Sequence, residues 1–70
     1  MNREYTVIVE QGEDGYLIGS VPALPGCHTQ GTSLADLMDH MKEAIELVLE
    51  DMGEEAPIEP RLLGIHRIAV

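Results

Sequence analysis

Tyr5-Thr6-Val7-Ile8-Val9 is a β-branched and aromatic run, with Tyr5, Val7 and Val9 on one side of the alternation and Ile8 on the other. It predicts a strand. Gln11-Gly12-Glu13-Asp14-Gly15 has turn chemistry, because the Asp-Gly pair tolerates positive φ. Tyr16–Val21 then predicts the returning strand, in which Tyr16 and Ile18 alternate against Leu17 and Val21. Pro22-Ala23-Leu24-Pro25-Gly26 ends that strand, since proline cannot donate to a ladder, and predicts an exposed, stiff loop. Cys27–Gly31 predicts a short third strand.

The period changes after Gly31. Leu34, Leu37, Met38, Met41, Ala44, Ile45, Val48 and Met52 recur at three- and four-residue spacing, which predicts a helix with one apolar stripe. Ser33 is placed to cap its amide groups, with Asp36 in the capping-box position. Gly53 is placed to end it in the left-handed conformation. Glu54–Pro60 is a polar, proline-broken connector, and Leu62–Val70 predicts a final strand. The order is β-β-β-α-β: an α+β class, in which one helix packs on one face of a small antiparallel sheet.

One helix covers one sheet face only. Both faces of the predicted strands carry apolar side chains, so one set is left bare. Ile8, Tyr16 and Ile18 are the residues expected to form a self-association patch, in a homodimer or higher homo-oligomer. Seventy residues make one domain, 1–70, whose core supplies only about 3–5 kcal/mol unless something adds to it. Cys27 is the only cysteine, which excludes an intrachain disulfide, and three scattered histidines lack zinc-site spacing. Association is the remaining source of stability.

Charge sharpens the kind of partner. Four basic residues stand against 13 acidic ones, a net charge of −9. Such a surface repels phosphate backbones, so nucleic acid is an unfavourable ligand and a basic protein a favourable one. Asp36, Asp39, Glu43, Glu46 and Glu50 stack along one edge of the predicted helix, with Lys42 flanking them and able to pair with Asp39 or Glu46. Leu47 falls among these acids, where an apolar side chain can anchor an interface. No stretch approaches a membrane span or a signal peptide, and the lone thiol suits the cytoplasm.

Catalytic chemistry finds little support. Glu10, at the end of the first strand, is the one acid placed as a magnesium-dependent ribonuclease H-like nuclease would need it. Cys27 and His28 are adjacent on a strand and point to opposite faces, so they form no thiol–imidazole pair and Cys27 belongs in the core. His40 lies near Asp36 and Glu43, and His66 has no suggestive neighbour. The glycines mark turns, with no phosphate-cradling loop, and two tyrosines make no base-stacking platform. No catalytic residue, metal or cofactor is expected.

Asp14-Gly15-Tyr16, Val21-Pro22-Ala23-Leu24-Pro25-Gly26-Cys27, Gly31-Thr32-Ser33 and Glu43-Ala44-Ile45-Glu46, in that order, resemble the HicB-like antitoxins over about residues 5 to 50. The resemblance implies a partial ribonuclease H-like fold without nuclease carboxylates. It also implies a non-enzymatic partner for a small, basic, HicA-type toxin that cleaves messenger RNA, with the antitoxin covering the toxin's active face. Many of these antitoxins carry a C-terminal DNA-binding segment. Here the sequence ends at Val70, in the last predicted strand, and DNA binding is not expected to carry over. Three readings follow: a toxin-neutralising module, a divergent nuclease, or a homo-oligomeric module with another client.

Overall fold

A computed structural model describes residues 3–70; Met1 and Asn2, which lead into the predicted first strand, lie outside the described residues. It contains a three-stranded antiparallel sheet in the order β1-β2-β3, formed by β1 (Ile8–Gln11), β2 (Leu17–Ser20) and β3 (His28–Gly31). A single long helix, α1 (Leu34–Met52), follows and packs chiefly against β3 and β2. The α+β class and the helix on one face are as the periodicity predicts.

The β1–β2 hairpin turns where Asp-Gly sits. Asp14 has φ 57° and Gly15 φ 81°, and the amide of Gly12 donates to the Tyr16 carbonyl at 2.8 Å to close the loop. Register pairs Ile8 with Ser20 and Gln11 with Leu17. The ladder stops there, although the strand pattern begins at Tyr5. Residues 5–7 would have to pair beyond Ser20, where the chain turns at Val21-Pro22 and a proline offers no donor. Arg3, Tyr5 and Thr6 are instead tied to the connector after the helix. Arg3 Nη1 donates to the Ala56 carbonyl (3.0 Å), Tyr5 Oη to the Pro57 carbonyl (2.6 Å), and the Thr6 amide to Glu59 Oε2 (2.7 Å).

The loop between β2 and β3 departs from the sequence expectation of an exposed stretch. Two consecutive turns, Leu24 N–H to Val21 O and Cys27 N–H to Leu24 O, both at 3.0 Å, roll the chain back over the end of the sheet. Pro22 and Pro25 face solvent, while Leu24 points inward and is 0% exposed. It joins Val21, Cys27, Leu37 and Met41 in the core, with Tyr5, Val7, Leu17, Ala23, Ala44, Ile45 and Val48 around them.

The helix begins and ends where its caps predict. Ser33 Oγ accepts from the Asp36 amide at 3.1 Å. Gly53 has φ 60° as expected, but ψ −132° takes it outside the left-handed helical basin. On the apolar stripe Leu37 and Met41 are buried, whereas Leu34, Met38 and Met52 stay exposed, because three short strands are narrower than the stripe. Sheet and helix meet closely at two glycines. A Cβ on Gly31 would lie 2.6 Å from Leu37 N and 2.7 Å from its Cα, both backbone atoms; on Gly19 it would meet the flexible Met41 Sδ at 2.8 Å. Gly31→Ala is therefore expected to cost about 2–3 kcal/mol in urea unfolding, and Gly19→Ala less, since Met41 can move aside. Equal effects would count against this packing.

The final strand is the element that does not form. Leu62–Val70 is exposed throughout and joins no ladder, so within one chain the order stops at β-β-β-α. The local pattern suits a strand, but no free edge of this chain's own sheet takes it.

Candidate functional site: the outer face of the helix and the bare face of the sheet

Register sorts the side chains by face. Leu17, Gly19, Val9 and Thr29 lie on the side that α1 covers; Ile8, Glu10, Ile18, Ser20, His28 and Gln30 lie on the other. Tyr16, one residue before Leu17, falls on the Ile18 side. The three residues expected to self-associate, Ile8, Tyr16 and Ile18, thus share the face without a helix, and each is partly exposed.

The acids of α1 occupy the opposite side of the molecule. Around the axis, Asp36, Asp39, Glu43, Glu46 and Glu50 fall within a band of roughly 80°, opposite the arc holding Leu37, Met41 and Val48. Asp39, Glu43, Glu46 and Glu50 are exposed, and Leu47 at the margin of the band is 66% exposed. Among the described residues the one ion pair is His40 with Asp36. The expected pairing of Lys42 with Asp39 or Glu46 does not occur. Such a pair is worth only about 0.2–0.5 kcal/mol in water, too little to hold two solvated side chains together.

Asp36 differs from the other four acids. Its Oδ2 accepts from the Thr32 amide (2.8 Å) and the Thr32 hydroxyl (3.1 Å), and its Oδ1 lies 3.5 Å from His40 Nε2. The capping acid reaches one residue further back than a capping box requires, because Thr32 offers two donors. These contacts hold the Asp36 carboxyl below the usual carboxylate range, the Thr32 amide first, then the hydroxyl, then His40. The His40 ring is fixed from its other side, where Nδ1 donates to the Gln30 carbonyl at 2.7 Å. That bond, followed by the Asp36 charge, raises the His40 pKa above its ordinary value. Asp36 is therefore chiefly a helix-start residue, and the freely presented acids are the remaining four.

A group with a raised folded pKa stabilises fully below its unfolded value, about 6.5, and that contribution fades as pH rises through the folded value. Asp36 acts in the reverse sense: its contribution is present above about 3.9 and is lost as pH falls through the lower folded value. NMR titration is expected to place His40 above the same residue in urea-unfolded chain, with Asp36→Asn bringing it part of the way down. A folded value at or below the unfolded one would refute this arrangement.

The chemistry-bearing residues do not converge. Glu10 faces solvent opposite Ile18, with no second acid across the ladder. Among the described residues no three His, Cys, Asp or Glu side chains stand close enough to hold a metal ion. Cys27 is buried, as its place in the pattern predicts, and burial pushes its thiol pKa up, away from nucleophilic use. His28 faces the other side of the sheet.

A family model for the HicB-like antitoxin of bacterial toxin–antitoxin systems matches residues 5–68. The chain belongs to the HicB-like antitoxin family. A UPF0150 protein of Synechocystis sp. is 41% identical over the full length of both chains. A UPF0150 protein of Archaeoglobus fulgidus is 55% identical over 47 residues, 67% of this chain and 68% of its own. A 14.9 kDa protein of Haemophilus phage HP1 is 41% identical over 73% of this chain but only 38% of its own length. As a HicB-like antitoxin, the chain has a toxin as its counterpart. Among its described residues no helix is long and apolar enough to cross a membrane.

Proposed function

We propose that this HicB-like chain is a non-enzymatic binding module that neutralises a small basic toxin of the HicA type, laying the outer face of α1 against it. The unpaired state of the acid band carries this reading. Asp39, Glu43, Glu46 and Glu50 are exposed and find no cation within the described chain, so a basic partner engages them without breaking an internal pair. A ribonuclease needs basic surface to hold the phosphates of RNA. A surface that is acidic along one helix competes for that same basic patch. Leu47, at the edge of the band, supplies an apolar anchor inside the polar rim.

Titration of the chain with a purified HicA-type toxin, by calorimetry at low and high salt, tests the reading. Tight binding that weakens steeply as salt rises is expected, together with loss of messenger-RNA cleavage in the complex. No binding at low salt would sink it.

A further inference from the structure

The segment Arg61–Val70 is exposed, forms no helix or strand and has no place in this chain's own sheet, with only Arg61, Leu62 and Ile65 bordering Ile8, Pro22 and Ala23. Leu63, Ile65 and Ile68 are 90%, 69% and 84% exposed. Among the described residues no backbone–backbone hydrogen bond reaches past Ala56. The radius of gyration is 13.2 Å, against about 11 Å for a compact chain of this length. Several large aliphatic side chains in a row, on backbone that bonds to nothing, describe a strand awaiting a ladder.

We propose that two copies of this chain exchange their Arg61–Val70 segments, each adding as a strand to the outer edge of β1 in the other. The sheet has two edges. At β3 the Gln30 carbonyl already accepts from His40, and α1 leans on that strand. At β1, Ile8–Gln11 bonds only to β2, so its outer row of amides and carbonyls is free. An edge of this kind takes an added strand by main-chain hydrogen bonding.

Charge selects the occupant. Residues 61–70 hold Arg61 and Arg67, two of the chain's four basic residues, and none of its 13 acids. Glu4, Glu10, Glu13 and Asp14 lie on or beside β1. A basic segment is drawn to the acidic body of another copy and is repelled by a basic toxin. The exchange uses an edge of the sheet and leaves the outer face of α1 free, so it does not depend on the toxin reading.

The test uses the whole chain. Sedimentation is expected to show a dimer at micromolar concentration. An isotope-filtered NOE experiment on an equal mixture of labelled and unlabelled chain is expected to show contacts from the Ile65 and Ile68 methyls to Val9 and Glu10 of the other copy. Ile65→Asp with Ile68→Asp is expected to weaken the dimer at least thirtyfold. A monomer at millimolar concentration overturns the proposal. So do contacts confined to one copy, a dimer joined through Ile8, Tyr16 and Ile18 with residues 61–70 unpaired, and pairing of the segment only when a basic toxin is added.

Discussion

Reversing Asp39, Glu43 and Glu46 to lysine is expected to weaken binding of a HicA-type toxin by roughly two to three orders of magnitude, about 3–4 kcal/mol. The three acids stand on the exposed side of α1 and make no ion pair within the described chain. Each reversal removes one attraction and installs one repulsion. A single exposed pair is worth at most about 1 kcal/mol, so the repulsive half supplies much of the loss. Stability of the chain itself changes little, because no internal partner is lost. Reversing Asp51, Glu54 and Glu55, which are exposed, unpaired among the described residues and off the acid band, changes net charge equally and serves as the control, with an expected loss under about tenfold. Surface plasmon resonance at two salt concentrations measures both. Equal losses in the two triple variants would mean that net charge, and not the helix face, governs binding. Leu47→Ala adds a second check, since its effect is expected to persist at high salt where that of the acids is screened.

The elements most legible in the sequence are those whose cause is local. The hairpin turn follows from Asp14-Gly15, which tolerate positive φ, and α1 from its stripe and from Ser33 at its start. What the sequence hides is set by distant neighbours. Tyr5–Val7 has strand chemistry, but its would-be partner turns away at Pro22. Leu62–Val70 has the pattern of a strand, yet a strand needs an edge, and pattern alone does not say whose. Leu24 sits between prolines, which marks a loop, while its burial comes from two turns that bring it over the core. The acid band is legible because helical spacing is local. The distinct position of Asp36 is not: its engagement requires the Thr32 donors and a His40 ring anchored on β3. A threonine directly before the capping serine is the signal that could have revealed it.

Leu24→Ala is expected to cost about 3–4 kcal/mol and to leave the isolated chain largely unfolded at 37 °C. Leu24 is 0% exposed and holds the core in two ways: it packs on Val21, Cys27, Leu37 and Met41, and its carbonyl and amide close the two turns that keep it there. Removing its side chain leaves a cavity against a sheet end and a helix, neither of which can collapse without losing the register of β2. A core of this size supplies only about 3–5 kcal/mol, so one such cavity consumes most of it. Urea unfolding followed by far-UV circular dichroism reads the loss, and a cost below about 1 kcal/mol would place Leu24 outside the core. Leu63→Ala separates this term from the exchanged strand. Leu63 is 90% exposed within one chain, so a strict monomer would not notice the change. With exchanged segments, its cost grows with protein concentration up to that of a half-buried leucine, because the strand it belongs to is ordered only in the dimer.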